Sequence, residues 1–82
     1  MMNHHTFKTN GVCARNISFD YEDGKIYNVE FLGGCNGNLK AISKLVEGQE
    51  LTKIVAILEG NTCGIRPTSC TDQLCKAIKE VL

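Results

Sequence analysis

The sequence predicts an α+β fold, in which an antiparallel two- or three-stranded sheet near the amino-terminal end is followed by three helices packed on one of its faces. Three observations lead there. Apolar and polar residues alternate through the first part of the chain, apolar residues recur at three- and four-residue spacing through the rest, and breaks containing glycine separate the runs.

Between Arg15 and Tyr21, the apolar residues Ile17, Phe19 and Tyr21 alternate with Asn16, Ser18 and Asp20, the period of a strand with one face buried. A second run follows Gly24, with Tyr27, Val29 and Phe31 expected on one face and Asn28 and Glu30 on the other. The Glu22-Asp23-Gly24 break between them reads as a hairpin turn. A two-residue Asp-Gly loop would set Phe19 opposite Asn28 and Ile17 opposite Glu30, mixing apolar and polar groups on one face. A three-residue loop ending in a left-handed glycine instead pairs Phe19 with Tyr27 and Ile17 with Val29, and this is the expected register. Phe7 to Thr9 is expected to add a weaker third strand before an Asn10-Gly11 turn. His4 and His5 are expected in a solvated terminus.

After Gly33-Gly34 the period changes. Leu39, Ile42, Leu45 and Val46 recur at helical spacing until Gly48. Leu51, Ile54, Val55 and Leu58 fall at i, i+3, i+4 and i+7, which predicts a second helix ended by Gly60 and Asn61. A third opens between Ser69 and Thr71, where a hydroxyl caps free amides and Asp72 suits the helix dipole, with Leu74, Ile78 and Val81 as its buried stripe.

With 82 residues, the chain is expected to form a single domain, residues 1–82, with a thin core. Domains this small often add disulfides, a metal or a partner subunit. Nine basic residues balance nine acidic ones for a net charge of +0, and no basic stripe interleaved with aromatics appears, so a nucleic acid partner is not indicated. No apolar run approaches the roughly 20 residues that span a bilayer. The amino terminus resembles neither a secretory signal nor a transit peptide, so a cytoplasmic location is expected. In that reducing compartment, five cysteines, an odd number, point to metal ligands or redox thiols more than to a disulfide framework.

The positions of the cysteines are the informative feature. Cys35 lies in the strand-to-helix junction Gly33-Gly34-Cys35-Asn36-Gly37-Asn38, and Cys70 lies in Thr68-Ser69-Cys70 at the start of the last helix. Beside helix amino termini, unpaired amides and the positive end of the dipole favour thiolate over thiol. Gly34, Gly37 and Gly64 let backbone approach a bound ion. Cys13 shares the odd parity of Ile17 and Phe19, so its thiol is expected to point toward the helices if that strand extends back to it. Cys63 follows the second helix, separated from Cys70 by a loop containing Arg66. The four sulfurs of Cys13, Cys35, Cys63 and Cys70 suit a tetrahedral metal site, zinc first and an iron-sulfur cluster second. The competing reading is that they are small buried hydrophobes, and for Cys75, on the Leu74 and Ile78 side of its helix, that core role is the expectation. Asp20, Glu22, Asp23 and Asp72 read as turn and capping residues, no Ser-His-Asp arrangement is evident, and the glycine run around Cys35 matches neither nucleotide-binding fingerprint.

Gly11-Val12-Cys13, Gly33-Gly34-Cys35-Asn36-Gly37-Asn38-Leu39, Cys63-Gly64 and Thr68-Ser69-Cys70-Thr71-Asp72-Gln73-Leu74 resemble, in order, the motifs of the TSCPD domain. One departure is Thr71, which stands where the family motif has its proline. The resemblance covers nearly the whole chain, and the four selected cysteines fall at the family's motif cysteines, with Cys75 outside them. Such domains occur as small stand-alone proteins and at the carboxyl end of cobalamin-dependent ribonucleotide reductases. The resemblance therefore implies an accessory role beside that oxidoreductase class, in the supply of precursors for DNA synthesis, with a larger protein as partner. The order of motifs is more loosely similar to that of iron-sulfur assembly scaffolds. Two roles are expected to compete: a metal-binding module built on the four cysteines, and a dithiol-disulfide shuttle that re-reduces a reductase. A complete reductase is not expected in so short a chain.

Overall fold

The computed structural model describes residues 2–9, 12, 14–33, 36–60 and 68–82. Strands β1 (Asn3–Lys8), β2 (Ala14–Glu22) and β3 (Lys25–Gly33) form an antiparallel sheet in that spatial order, followed by helices α1 (Asn36–Val46), α2 (Leu51–Leu58) and α3 (Cys70–Lys79). The helices cover one face of the sheet. Ile17, Phe19, Ile26 and Val29 from that face join Val46, Leu51, Ile54, Leu74, Cys75, Ala77 and Ile78 in one core. The expected α+β architecture is the observed one.

The hairpin register differs from the expected one. Glu22 pairs with Lys25 and Tyr21 with Ile26 across a two-residue Asp23-Gly24 turn, so the three-residue loop is not formed. Both turn residues have positive φ, +53° at Asp23 and +75° at Gly24, the requirement of the turn type whose twist matches a hairpin. The mixing of apolar and polar faces that argued against this turn is relieved by an irregularity. Asp20 pairs with Tyr27 but Ser18 pairs with Glu30, so β3 carries one extra residue opposite Phe19. Asn28 takes up the shift at φ +53°. Its amide donates to Glu47 Oε1 at 2.8 Å and its side chain donates to Asp20 Oδ2 at 3.0 Å. Parity therefore switches within β3. Ile26 is buried before the bulge and Val29 after it, while Tyr27 lies opposite Asp20.

A second shift falls between Ala14 and Asn16. It makes Ala14, an even-numbered residue, the buried one at 1% exposure. The odd parity used to orient Cys13 does not carry across Arg15.

The first strand is longer than Phe7 to Thr9 and begins at Asn3. His4 and His5 are part of it and pair with Asp20 and Phe19. The ring of His5 sits 5.7 Å from that of Phe19 and its Nε2 donates to Glu80 Oε1 at 2.7 Å, fixing the strand to the end of α3. His4 Nδ1 donates to Asp20 Oδ1 at 2.6 Å. Together with the Asn28 side chain, whose hydrogen bond is the stronger influence, His4 holds the Asp20 carboxyl below its usual range.

The α1–α2 connection is tied to the turn end of the sheet. Ile26 N donates to Gln49 O, Gly48 N to Ile26 O and Leu51 N to Gly24 O, at 3.0, 2.7 and 2.8 Å. Of the α1 stripe, Leu39 and Val46 are buried, but Leu45 is 75% exposed. At about 100° per residue, Leu45 falls at the margin of the stripe. With Ile42, Val46, Ile54, Ile57 and Leu58 it lines a shallow groove between α1 and α2. Among the described residues, no helix is long and apolar enough to cross a membrane.

Candidate metal centre

Of the four cysteines singled out, the structure describes Cys70; Cys13, Cys35 and Cys63 lie outside the described residues. Cys70 is the first residue of α3 and holds a free, partly exposed thiol. Its position follows from the residues before and after it. Ser69, in an extended conformation, is the N-cap, and its Oγ accepts from Asp72 N at 3.1 Å, satisfying one of the amides that a helix start leaves without an intrahelical partner. Thr71 does not cap the helix itself. Its hydroxyl lies 2.9 Å from Ser69 Oγ, so at this position threonine braces the cap where proline would have fixed the backbone.

Asp72, expected as a dipole partner of the helix, reaches further. Its Oδ1 accepts from Gly60 N at 2.7 Å and its Oδ2 accepts from the Thr68 hydroxyl. Gln73 Nε2 donates to Thr68 Oγ1 at 3.1 Å and Gln73 N to Ser69 O at 2.8 Å. The hydrogen bonds to Asp72, that of Thr68 first and that of Gly60 next, hold its carboxyl below the ordinary range. The polar side chains around the first turn of α3 are closed to solvent, although Cys70 is not: Thr68, Ser69, Thr71, Asp72 and Gln73 are all buried. Gly60, at φ +83°, turns the chain out of α2 and aims its amide at Asp72. Sequence reasoning found the cap and missed this junction. The signal was present in Thr68, Asp72 and Gln73, three hydrogen-bonding side chains around a helix start whose cap needs only Ser69.

Cys75 behaves as expected of core filler. It is fully buried, and its Sγ donates to Ile54 O at 3.8 Å. Burial first, then the carboxylates of Asp72 and Glu59, push its thiol from 9.0 up to about 11. The thiolate is the metal-binding form, so this sulfur is a poor ligand. Among the described residues, no three His, Cys, Asp or Glu side chains are gathered as a metal site.

Fold and site together define a small α+β domain with a free cysteine at the capped start of its last helix. The family model of the TSCPD domain matches residues 2–82, and the chain belongs to that family. The matched model is that of the TSCPD domain, which leaves the looser likeness to iron-sulfur assembly scaffolds without support. Comparisons with curated proteins and with solved structures returned no match.

Proposed function

We propose that this chain is a small accessory domain that holds one metal ion, zinc in the first instance, through Cys13, Cys35, Cys63 and Cys70, and that it serves a larger protein of the ribonucleotide reductase class. The supporting observation is the condition of Cys70: a free thiol, partly exposed, on a helix start whose other polar groups are buried and hydrogen-bonded. The contrast with Cys75, which is enclosed and hydrogen-bonded to a backbone carbonyl, marks Cys70 as the available sulfur of the helix. A set of four thiolates fits zinc, which would supply a cross-link between distant stretches of chain and so stabilise a domain with a small core. Cys70 donates its sulfur, and Ser69 and Asp72 hold the turn that presents it.

Elemental analysis and a free-thiol count on one native sample, prepared without added metal, test this reading. About one zinc per chain, with the site thiols reactive only after a chelator is added, is the expected result. Iron and sulfide in place of zinc would assign an iron-sulfur cluster to the same ligands. A well-folded protein free of metal, whose thiols cycle reversibly with a disulfide in redox buffers, would replace the metal module by the dithiol shuttle.

A further inference from the structure

We propose that the face formed by α1 and α2 is where a second copy of this chain docks, so that the protein is a two-fold dimer. Helix α1 rests on β3 and α2 on α3, and an apolar groove is left open between the two helices. Val46 and Ile54, both buried, form its floor, while Leu45 on α1 and Ile57 on α2 stand in solvent at 75% and 66% exposure. The other exposed large apolar residues, Met2, Leu32 and Leu82, take no part in lining it. Single apolar side chains in solvent are ordinary, but two of them beside an apolar groove mark a contact surface.

A two-fold contact brings one surface against itself, so that surface must carry both halves of every interaction. This face carries the protruding side chains and also the groove that receives them. It carries both charges as well. Lys53 lines the groove. Glu50, at the N-cap of α2, precedes Lys53 by three residues and Ile57 by seven, the spacing that places all three along one side of the helix. The Glu50 side chain makes no capping bond, and neither it nor Lys53 has an ion-pair partner among the described residues. The neighbouring acids are engaged elsewhere, Glu47 with the Asn28 amide and Glu59 with Lys79. Across a two-fold axis, Glu50 in each copy meets Lys53 in the other, and both charges are answered at once. A partner of one sign, acidic or basic, would answer one of them and oppose the other. The charge pattern therefore selects a second copy as the occupant. The dimer places α1 and α2 of both copies between the two sheets, and it does not depend on the cysteines.

Sedimentation equilibrium on the full-length chain tests this, with reductant present and the same metal content in every sample. A face of this size predicts a monomer–dimer equilibrium with a dissociation constant of about 10 to 100 µM. Leu45→Ser and Ile57→Ser, both at exposed positions, should each weaken association about tenfold or more, while Leu82→Ser, equally exposed but off the face, should leave it unchanged. Glu50→Lys and Lys53→Glu should each weaken it about fivefold, and the double variant, which restores the pair in reverse, should recover most of the loss. Circular dichroism confirms that each variant is folded. A protein that stays monomeric to about 1 mM would overturn the proposal and hand the face to a different protein. A dimer that Leu45→Ser and Ile57→Ser leave intact, an equal loss in Leu82→Ser, or a double charge variant no stronger than either single one would overturn it too.

Discussion

The buried thiol of Cys75 makes stability depend on alkaline pH in a way that one substitution isolates. The native thiol titrates at about 11 and the unfolded thiol near 9.0. Between those values the native state holds a proton that the unfolded state has released, so stability falls as pH rises through that window and is fully retained below it. Two units correspond to about 2–3 kcal/mol. Cys75→Ala removes the titration and leaves a small cavity, at a cost of about 1 kcal/mol at neutral pH. The two effects oppose each other. Wild type should be the more stable protein at pH 7 and Cys75→Ala the more stable at pH 11, with the curves crossing near pH 10. Urea unfolding followed by circular dichroism, at pH 7, 9, 10 and 11 with reductant present and the same metal state in both proteins, measures the difference directly. Other groups that titrate in the window are common to both chains and cancel. A difference that stays constant from pH 8 to pH 11 would refute the assignment of Cys75 to the closed core.

Further perturbations address the local devices that shape the fold. Ser69→Ala removes the N-cap acceptor from Asp72 N and should cost about 1 kcal/mol, read as a fall in thermal midpoint of about 4–8 °C. Asn28→Val forces a β-branched residue to φ +53° and deletes the bond to Asp20; it should destabilise by about 1–3 kcal/mol in urea unfolding, whereas Asn28→Gly should cost less.

The order of elements was legible because each periodic run is long enough to show its period: Ile17 to Tyr21 at two, and Leu51 to Leu58 at three and four. The hairpin register was not, since period-two reasoning assumes an unbroken ladder and a single extra residue at Asn28 reverses the parity beyond it. Asparagine at a bulge carries only a weak signal, its tolerance of positive φ. The amino-terminal strand was underestimated for a related reason. His5 and Phe7 alternate as a strand should, but a histidine does not register as apolar, and the His5 ring owes its inward position to Phe19 and Glu80 together. In the site, Ser69 and Cys70 were readable because capping is local. The crowding of Thr68, Asp72 and Gln73 around that helix start was visible too, but the link from Asp72 to Gly60 was not, because Gly60 is twelve residues away and offers only a backbone amide, which no side-chain pattern reveals.

Helix geometry gives an independent reason why Cys75 could not share an ion with Cys70. Cys70 and Cys75 stand on the same helix, five residues apart. At about 100° and 1.5 Å per residue, they point about 140° apart and are separated by about 7.5 Å along the axis. A zinc ion binds sulfur at about 2.3 Å, so an ion bound by Cys70 at the helix start is out of reach of Cys75, whatever the protonation of either thiol. Moving Cys75 into reach would require rotating α3 and withdrawing Leu74 and Ile78, both fully buried, from the core. The packing of α3 thus separates its two sulfurs: Cys70 stands partly exposed at the amino-terminal turn, while Cys75, one turn and a half further on, fills the core.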